Sequence, residues 1–531
     1  LQGGNRNTYF SLWFNDNWKV TPKLTLNLGL RWEVQPAFTD PNDRLSWMDP
    51  STPNPPIGNF PGAYIFAGDC DGCSGFHSTG NTHWKGFGPR LGFAYRITDN
   101  TVIRGGYGVF FAQIITQGTA VGGLREGFNV SASFSSPDVG ITPAFLWDNG
   151  FPQNFPRPPR IDPALKNGLS ANYQDIERST LVPYAQQYNL ILERQLGSDV
   201  SVSAGYVANL GRRLHTSWGV GHNWNQVDPR YLGLGDLLRK HITDPAVAAA
   251  GFTEPFPGFS QLWGARGTLA QALKRFPQYT SVSQAGSTFG LSSYHSLQVS
   301  AEKRMSKGLS FTTAYTWSKS ISDTEGFSSG AGPINYYDRK LDRAITSIDQ
   351  PHVLTFSYIY ELPFGPGKSW LASGPASRVL GGWKITGLHM YASGTPIAVI
   401  TTNTLPLGNP GQRPNIVSSN IRTDVSAGEF NPAKDVWLNR AAFADPAPYT
   451  FGNAARYLNV RVAAAFNESL GIVKDTRFQE RFNVQFRMEM SNPFNNVLFG
   501  GPVTNLASGA FGKIGSAGGS RQIQFGLKLF Y

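Results

Sequence analysis

The sequence predicts an all-β chain, an antiparallel transmembrane β-barrel with long extracellular loops. Three observations predict it: segments of alternating apolar and polar residues recur, tight turns alternate with long loops, and the composition suits strands rather than helices. Charged residues make up 15% of the 531 residues, where roughly 25% is usual for soluble proteins. Aromatics reach 13%, and Gly 59 and Tyr 20 fit many strands and turns. Mean hydropathy is −0.25, and no run approaches the ~18 apolar residues of a spanning helix. A helical membrane protein is thereby excluded. A barrel is not, because its polar lumen face dilutes the hydropathy.

The strands follow in chain order. "LTLNLGLRWE" sets Leu24, Leu26, Leu28, Leu30 and Trp32 against Thr25, Asn27, Gly29, Arg31 and Glu33. Successive side chains of a strand face opposite sides, so one face is apolar and the other wet. Ahead of it Phe10, Leu12, Phe14, Trp18 and Val20 share one parity and lead into the turn Thr21-Pro22-Lys23. Leu91, Phe93 and Tyr95 alternate with Arg90, Gly92, Ala94 and Arg96. After Thr98-Asp99-Asn100, "TVIRGGYGVFF" sets Ile103, Tyr107, Val109 and Phe111 against Arg104, Gly106 and Gly108. "YNLILERQ" and "VSVSAGYVAN" flank Gly197-Ser198-Asp199, and "HSLQVSAEKR" and "LSFTTAYTWSK" flank Ser306-Lys307-Gly308. Each pair reads as a hairpin closed by turn-forming residues. At the end Ile523, Phe525, Leu527, Leu529 and Tyr531 alternate with Gln522, Gln524, Gly526 and Lys528.

Between the hairpins, segments 35–86, 113–183, 210–290, 321–351, 403–460 and 492–521 are rich in Gly, Pro, Asn and aromatics. Loops longer than about 15 residues are unusual in compact soluble domains. Here they alternate with tight turns, as in a bacterial outer-membrane barrel with periplasmic turns and extracellular loops. The apolar face is therefore expected to meet outer-membrane lipid, in preference to the core of a soluble sandwich or propeller. The net charge of +11 raises the question of nucleic acid. The basic residues are scattered singly and form no recognition motif, so no nucleic-acid partner is expected.

Several segments carry a family resemblance. "FNDNWKVTPKLTLNLGLRWE", "GFGPRLGFAYRITDNTVIRGGYGVFF", "RMSKGLSFTTAYTWSKS", "YIYELPFGPGK", "GGWKITGLHMYASGTP" and "RFNVQFRMEMSNPFNN" together resemble the barrel of Oar-like TonB-dependent outer-membrane receptors. Members of that family carry a carboxypeptidase-regulatory-like domain, a plug and then the barrel. The resemblance implies active uptake of a ligand captured by the loops and powered through TonB. The ligand could be a carbohydrate, a peptide or a metal chelate. The final strand, with Phe525, Leu527, Leu529 and Tyr531, resembles the signal read by the barrel assembly machinery. The sequence contains no plug, TonB box or regulatory-like domain, and its start at Leu1 reads as processed or truncated. Counting alternating segments gives about thirteen strands, against 22 in plugged transporters. Residues 1–531 are therefore expected to be the carboxy-terminal part of a receptor barrel, coupled to TonB through the missing amino-terminal part. Two rivals remain, a passive porin and a barrel-displayed surface adhesin.

The remaining motifs are weighed individually. Cys70 and Cys73 form "CDGC" in the first long loop. A C-x-x-C pair can be a redox centre or, with His77 and His83, part of a zinc site. An oxidising extracellular position favours a small loop disulfide. "GNPGQRPN" and "RGGYG" lack the Lys-Ser/Thr end and following helix of a phosphate loop. Gly105, Gly106 and Gly108 are expected to admit a plug or a neighbouring side chain close to the wall. No catalytic ordering of Ser, His and Asp and no suggestive carboxylate pair occurs, so neither an enzyme nor a cofactor is expected. Arg31, Glu33, Arg90, Arg96, Arg104, Arg487 and Glu489 share the polar parity. They read as solvated wall charge, as a plug-docking surface, or as both. In loop 210–290, short helical pieces "GDLLRKH" and "TLAQALKR" surround Phe252, Phe256, Phe259 and Trp263. Those four rings either stack on a ligand or form the loop's own small core. Trp18, Trp32, Tyr95 and Trp317 are expected in the interfacial aromatic girdles.

Overall fold

The alternating segments form thirteen long strands, β1 (Phe10–Thr21), β2 (Leu24–Gln35), β3 (His83–Thr98), β4 (Thr101–Phe111), β5 (Tyr184–Leu196), β6 (Val200–Leu214), β7 (Gly290–Ser306), β8 (Leu309–Ser322), β9 (His352–Glu361), β10 (Trp383–Ala392), β11 (Ala465–Phe478), β12 (Phe482–Ser491) and β13 (Gln522–Phe530). They pair in chain order, antiparallel throughout, with a two-residue strand at Ala344–Ile345 beside β8. The computed structural model describes residues 6–112, 125–130, 132–177, 181–215, 223–285, 287–324, 334–426, 428–478 and 482–531. Parts of the expected loops, 113–124, 216–222 and 325–333 among them, lie outside the described residues.

Register carries one apolar face across the whole sheet. Leu28 stands opposite Leu91, Leu91 opposite Tyr107 and Tyr107 opposite Tyr188. Leu190 then faces Tyr206, Tyr206 faces Leu297 and Leu297 faces Trp317. Beyond them Tyr315 meets Leu354, Leu354 meets Tyr391, Leu470 meets Met490 and Met490 meets Ile523. A slip of one residue in any ladder would turn every later side chain to the other face, so a buried or lipid-covered face enforces register strongly. The apolar side chains are exposed on the protein alone, with Leu91 at 51%, Leu190 at 49% and Leu527 at 73%. A soluble monomer rarely leaves a contiguous apolar patch above a few hundred Å². Lipid is the environment that covers such a face.

The buried cores lie elsewhere. Among the described residues the buried apolar side chains form four clusters, each built mainly from the long loops. Ser46–Asn54, Phe60–Phe66, Ala171–Gln174 and Val282–Ala285, from three different loops, join in a four-stranded sheet. Val282–Ala285 runs parallel to Ala171–Gln174. These loops form an ordered cap over the wall.

Two expectations are refined. Some strands reach into the expected loops: β3 starts at His83, inside 35–86, and β6 ends at Leu214, inside 210–290. The connection between β9 and β10, residues 362–382, is no tight turn although it lies at the turn end of the wall. It carries the helix α1 (Pro375–Leu380), and Lys474 Nζ on β11 donates to the Arg378, Val379 and Gly381 carbonyls at its end.

The sheet is open. Among the described residues β1 pairs only with β2 and β13 only with β12. It is also curved, since Glu302 on β7 and Gln524 on β13 line one lumen cavity of about 990 Å³.

Candidate functional site

Two surfaces can meet a ligand or partner, the polar wall of the lumen and the loop cap above it. Strand parity places Arg31, Glu33, Arg90, Arg96, Arg104, Arg487 and Glu489 together on the polar face. Their pairings are local. Arg31 Nε donates to Glu33 Oε1 at 2.6 Å, Arg487 pairs with Glu489 at 2.8 Å, and Arg104 pairs with Glu193 on β5. Among the described residues Arg90 has no carboxylate partner, and it stands 4.9 Å over the Phe110 ring. Arg96 donates to the Pro22 carbonyl beside the first turn.

Glycines flank several of these side chains across the ladder. Arg90 lies between Gly29 and Gly108, Arg31 faces Gly88, and Arg487 faces Gly526. A long side chain beside glycine is free to lean along the wall. Glu33 Oε2 and Arg487 Nε are buried without partners among the described residues. A buried polar atom without a partner is costly. Gly105 and Gly108, by contrast, are already filled: a Cβ there would lie 2.4 Å from the Phe93 ring and 2.8 Å from the Phe110 ring. At those two positions the close approach is made by neighbouring side chains.

The cap is cross-linked by buried ion pairs. Arg413 Nη2 donates to Asp342 at 2.6 Å, and Arg461 Nη2 to Asp349 at 2.5 Å, tying the loop after β8 to the loop after β10. Burial pushes the Asp342 carboxyl up despite Arg413. Burial would also raise Asp40, but Arg44, the Asn42 N–H and Arg125 outweigh it and hold the carboxyl below its usual range.

Phe256, Phe259 and Trp263 lie at 3%, 0% and 3% exposure in the cap's own core, with Phe252 half-buried at its margin. Phe259 meets Phe256 edge-on at 5.5 Å, and the Trp263 indole donates to the Pro277 carbonyl. Three of the four rings are spent on packing, so a stacking surface for ligand is not found there. The helical pieces expected around them are a 3-10 segment at Pro229–Arg239 and a short helix at Leu269–Ala272. Accessible rings occur instead at Phe134, Phe145, Trp147 and Phe151, a mutually packed group in which Trp147 is 73% exposed. The aromatic density of "AFLWDNGF" was their sequence signal.

Cys70 and Cys73 are disulfide-bonded, with Cα atoms 5.0 Å apart. His77 is engaged by Asp43, and His83 lies tilted against the Phe111 ring at 5.5 Å. Phe525, Leu527 and Leu529 line the outward face of β13, and Tyr531 follows it fully exposed. Trp18, Tyr95 and Trp317 are exposed on the apolar face near strand ends, and Trp32 stacks on Phe87 there.

The profile of the family described as outer membrane beta barrel domain matches residues 2–524. The chain belongs to that family. This barrel chain is accordingly a protein of the bacterial outer membrane. Among solved structures, the ferric citrate transporter FecA is 9% identical with a TM-score of 0.40, over 99% of the barrel chain and 45% of FecA. The ferric-catecholate import receptor Fiu from Escherichia coli K12 gives the same identity, score and coverages. The outer membrane transporter YddB from Escherichia coli is 8% identical with a TM-score of 0.41, over 99% of the barrel chain and 54% of YddB. The chain thus spans about half the length of these structures. No curated protein matches it.

Proposed function

We propose that the chain is the carboxy-terminal wall of an Oar-like TonB-dependent receptor that captures a ligand at its loops and imports it by energised release of a plug. The observation that carries this reading is the pairing of an ordered cap with a wide polar lumen. A cap with its own buried cores and inter-loop ion pairs is a preorganised binding surface. Beneath it, the partly exposed wall pairs Arg487–Glu489 and Arg104–Glu193 offer charge against which a plug can dock and be released. On this reading TonB acts through a segment outside these residues, the barrel assembly machinery reads β13, and the ligand is a carbohydrate, a peptide or a metal chelate.

A passive porin would share the strands and the lumen. Conductance in planar bilayers separates the two. The complete gene product should be electrically silent until denaturant releases the plug. Steady open-channel conductance of the untreated protein would establish the porin instead.

A further inference from the structure

The cap contains a cavity of about 290 Å³ between residues of the 229–274 segment and the loop after β10. Arg239, Arg266 and Lys274 line it together with Gln271, Pro406 and Gly408, and among the described residues no carboxylate does. Among the described residues none of the three cations is in an ion pair, although their neighbours Lys240 and Asp244 pair with each other at 3.3 Å. The Arg239 guanidinium donates to Tyr449 Oη and the Thr404 carbonyl and lies 5.8 Å from the Tyr449 ring. Arg266 stands 5.3 Å over Trp263, whose indole is anchored in the core. Lys274 Nζ donates once, to the Thr280 carbonyl at 2.7 Å. An ammonium has three donors, so two remain for another acceptor. The cations are thus held by rings and carbonyls, which orient them without neutralising them.

Three like charges around one small cleft repel each other, and the repulsion is least screened at Lys274, which is withdrawn from water. Such an arrangement is favourable once an anion sits among them, and guanidinium forks match the geometry of phosphate and carboxylate oxygens. We propose that this pocket is an oxyanion site, taking a phosphate or carboxylate group. On the reading of the cap as the capture surface, it would hold the charged end of the captured molecule. The site joins two loops, so an anion there would also tie them together.

Displacement of water from Lys274 pushes its pKa down to about 8. No neighbouring charge offsets this: burial is the sole cause of the shift, and the other charged groups lining the pocket, Arg239 and Arg266, are cations. A fully ionised anion should therefore bind better below about pH 8 than above it, as Lys274 loses its proton.

The test uses the complete gene product in phosphatidylcholine vesicles, with equilibrium dialysis of labelled sulfate, inorganic phosphate and citrate. Sulfate keeps its charge across the range, so its affinity should fall between about pH 7 and pH 9. Lys274→Met and Arg239→Gln should each weaken binding about ten-fold, with the cap still resistant to protease. Arg230→Gln, outside the pocket, should leave it unchanged. Vesicles containing lipid A provide a second arm: competition with sulfate assigns the site to a lipid phosphate, and its absence to a soluble ligand. No saturable binding of any of the three anions, or equal binding by Lys274→Met, would overturn the proposal. Oxyanion binding by a protein that proves to be an open porin would leave the pocket standing and remove the receptor reading. A TonB-dependent receptor without anion binding would do the reverse.

Discussion

Leu28 and Asn27 are neighbours in sequence and opposites in environment. Leu28 projects into the apolar face between Asp16 and Leu91, whereas Asn27 faces the lumen between Asn17 and Gly92. Leu28→Arg should cost about 2–4 kcal/mol, the depth-dependent cost of a lipid-facing cation near the bilayer midplane, and Asn27→Arg much less. Refolding yield and stability in lipid vesicles measure the difference; equal tolerance of both would mean that this strand does not cross the membrane. Phe259 makes the complementary case. Its ring is fully buried in the cap, so Phe259→Ala should destabilise the loop by about 3–5 kcal/mol. Proteolysis of intact cells should then cut within 223–285, while Trp147→Ala, at an exposed ring, should leave the cap resistant.

At the scale of elements, the wall has a loop end and a turn end. Cysteines placed at Thr253 and Ser426, both exposed in the cap, should be labelled by an impermeant reagent on intact cells. One at Lys307, in the turn between β7 and β8, should not. The opposite pattern would invert the topology. The turns are also tied to each other. Asp199 accepts from Ser198, Ser306 and Lys303, which hold its carboxyl well below the usual carboxylate range. A depressed carboxylate contributes stability above its unfolded pKa and loses it as pH falls through the folded value. Asp199→Asn should therefore weaken the protein at neutral pH, and the difference from wild type should vanish in strong acid. Denaturant midpoints across the acid range report this; a constant difference would mean that Asp199 acts through shape rather than charge.

For the whole molecule the decisive feature is the open sheet. With thirteen strands, β1 and β13 both run from the loop end to the turn end, so direct closure would be parallel. Bacterial barrels close antiparallel with even numbers of strands, so on the proposed reading an odd number of further strands completes the wall. Twenty-two strands, as in plugged transporters, would need about nine more. Exposed strand edges in lipid leave backbone groups unsatisfied at several kcal/mol each, and edges pair with other chains. The 531 residues expressed alone should accordingly aggregate and fail to transport. Joined to the upstream coding sequence they should run as a heat-modifiable monomer on gels and support energy-dependent uptake. TonB-dependent uptake by the isolated chain in a receptor-deficient strain would sink the proposed reading.

The sequence by itself determined the wall. Alternation of period two records the two environments of each strand, and Gly, Ser, Asp and Pro at the tight turns record where the chain reverses, so faces, hairpins and the lumen charges were legible residue by residue. The cap was decided only by the tertiary structure. Its sheet pairs Ala171–Gln174 with Val282–Ala285, and its anion pocket brings Pro406 and Gly408 to Arg239, Arg266 and Lys274. Aromatic and basic residues have the same local pattern whether a loop packs them inside or presents them to solvent. Phe256, Phe259 and Trp263 could therefore be read from the sequence as stacking surface or as core. Contacts between distant loops, which no local periodicity encodes, turned three of the four rings inward.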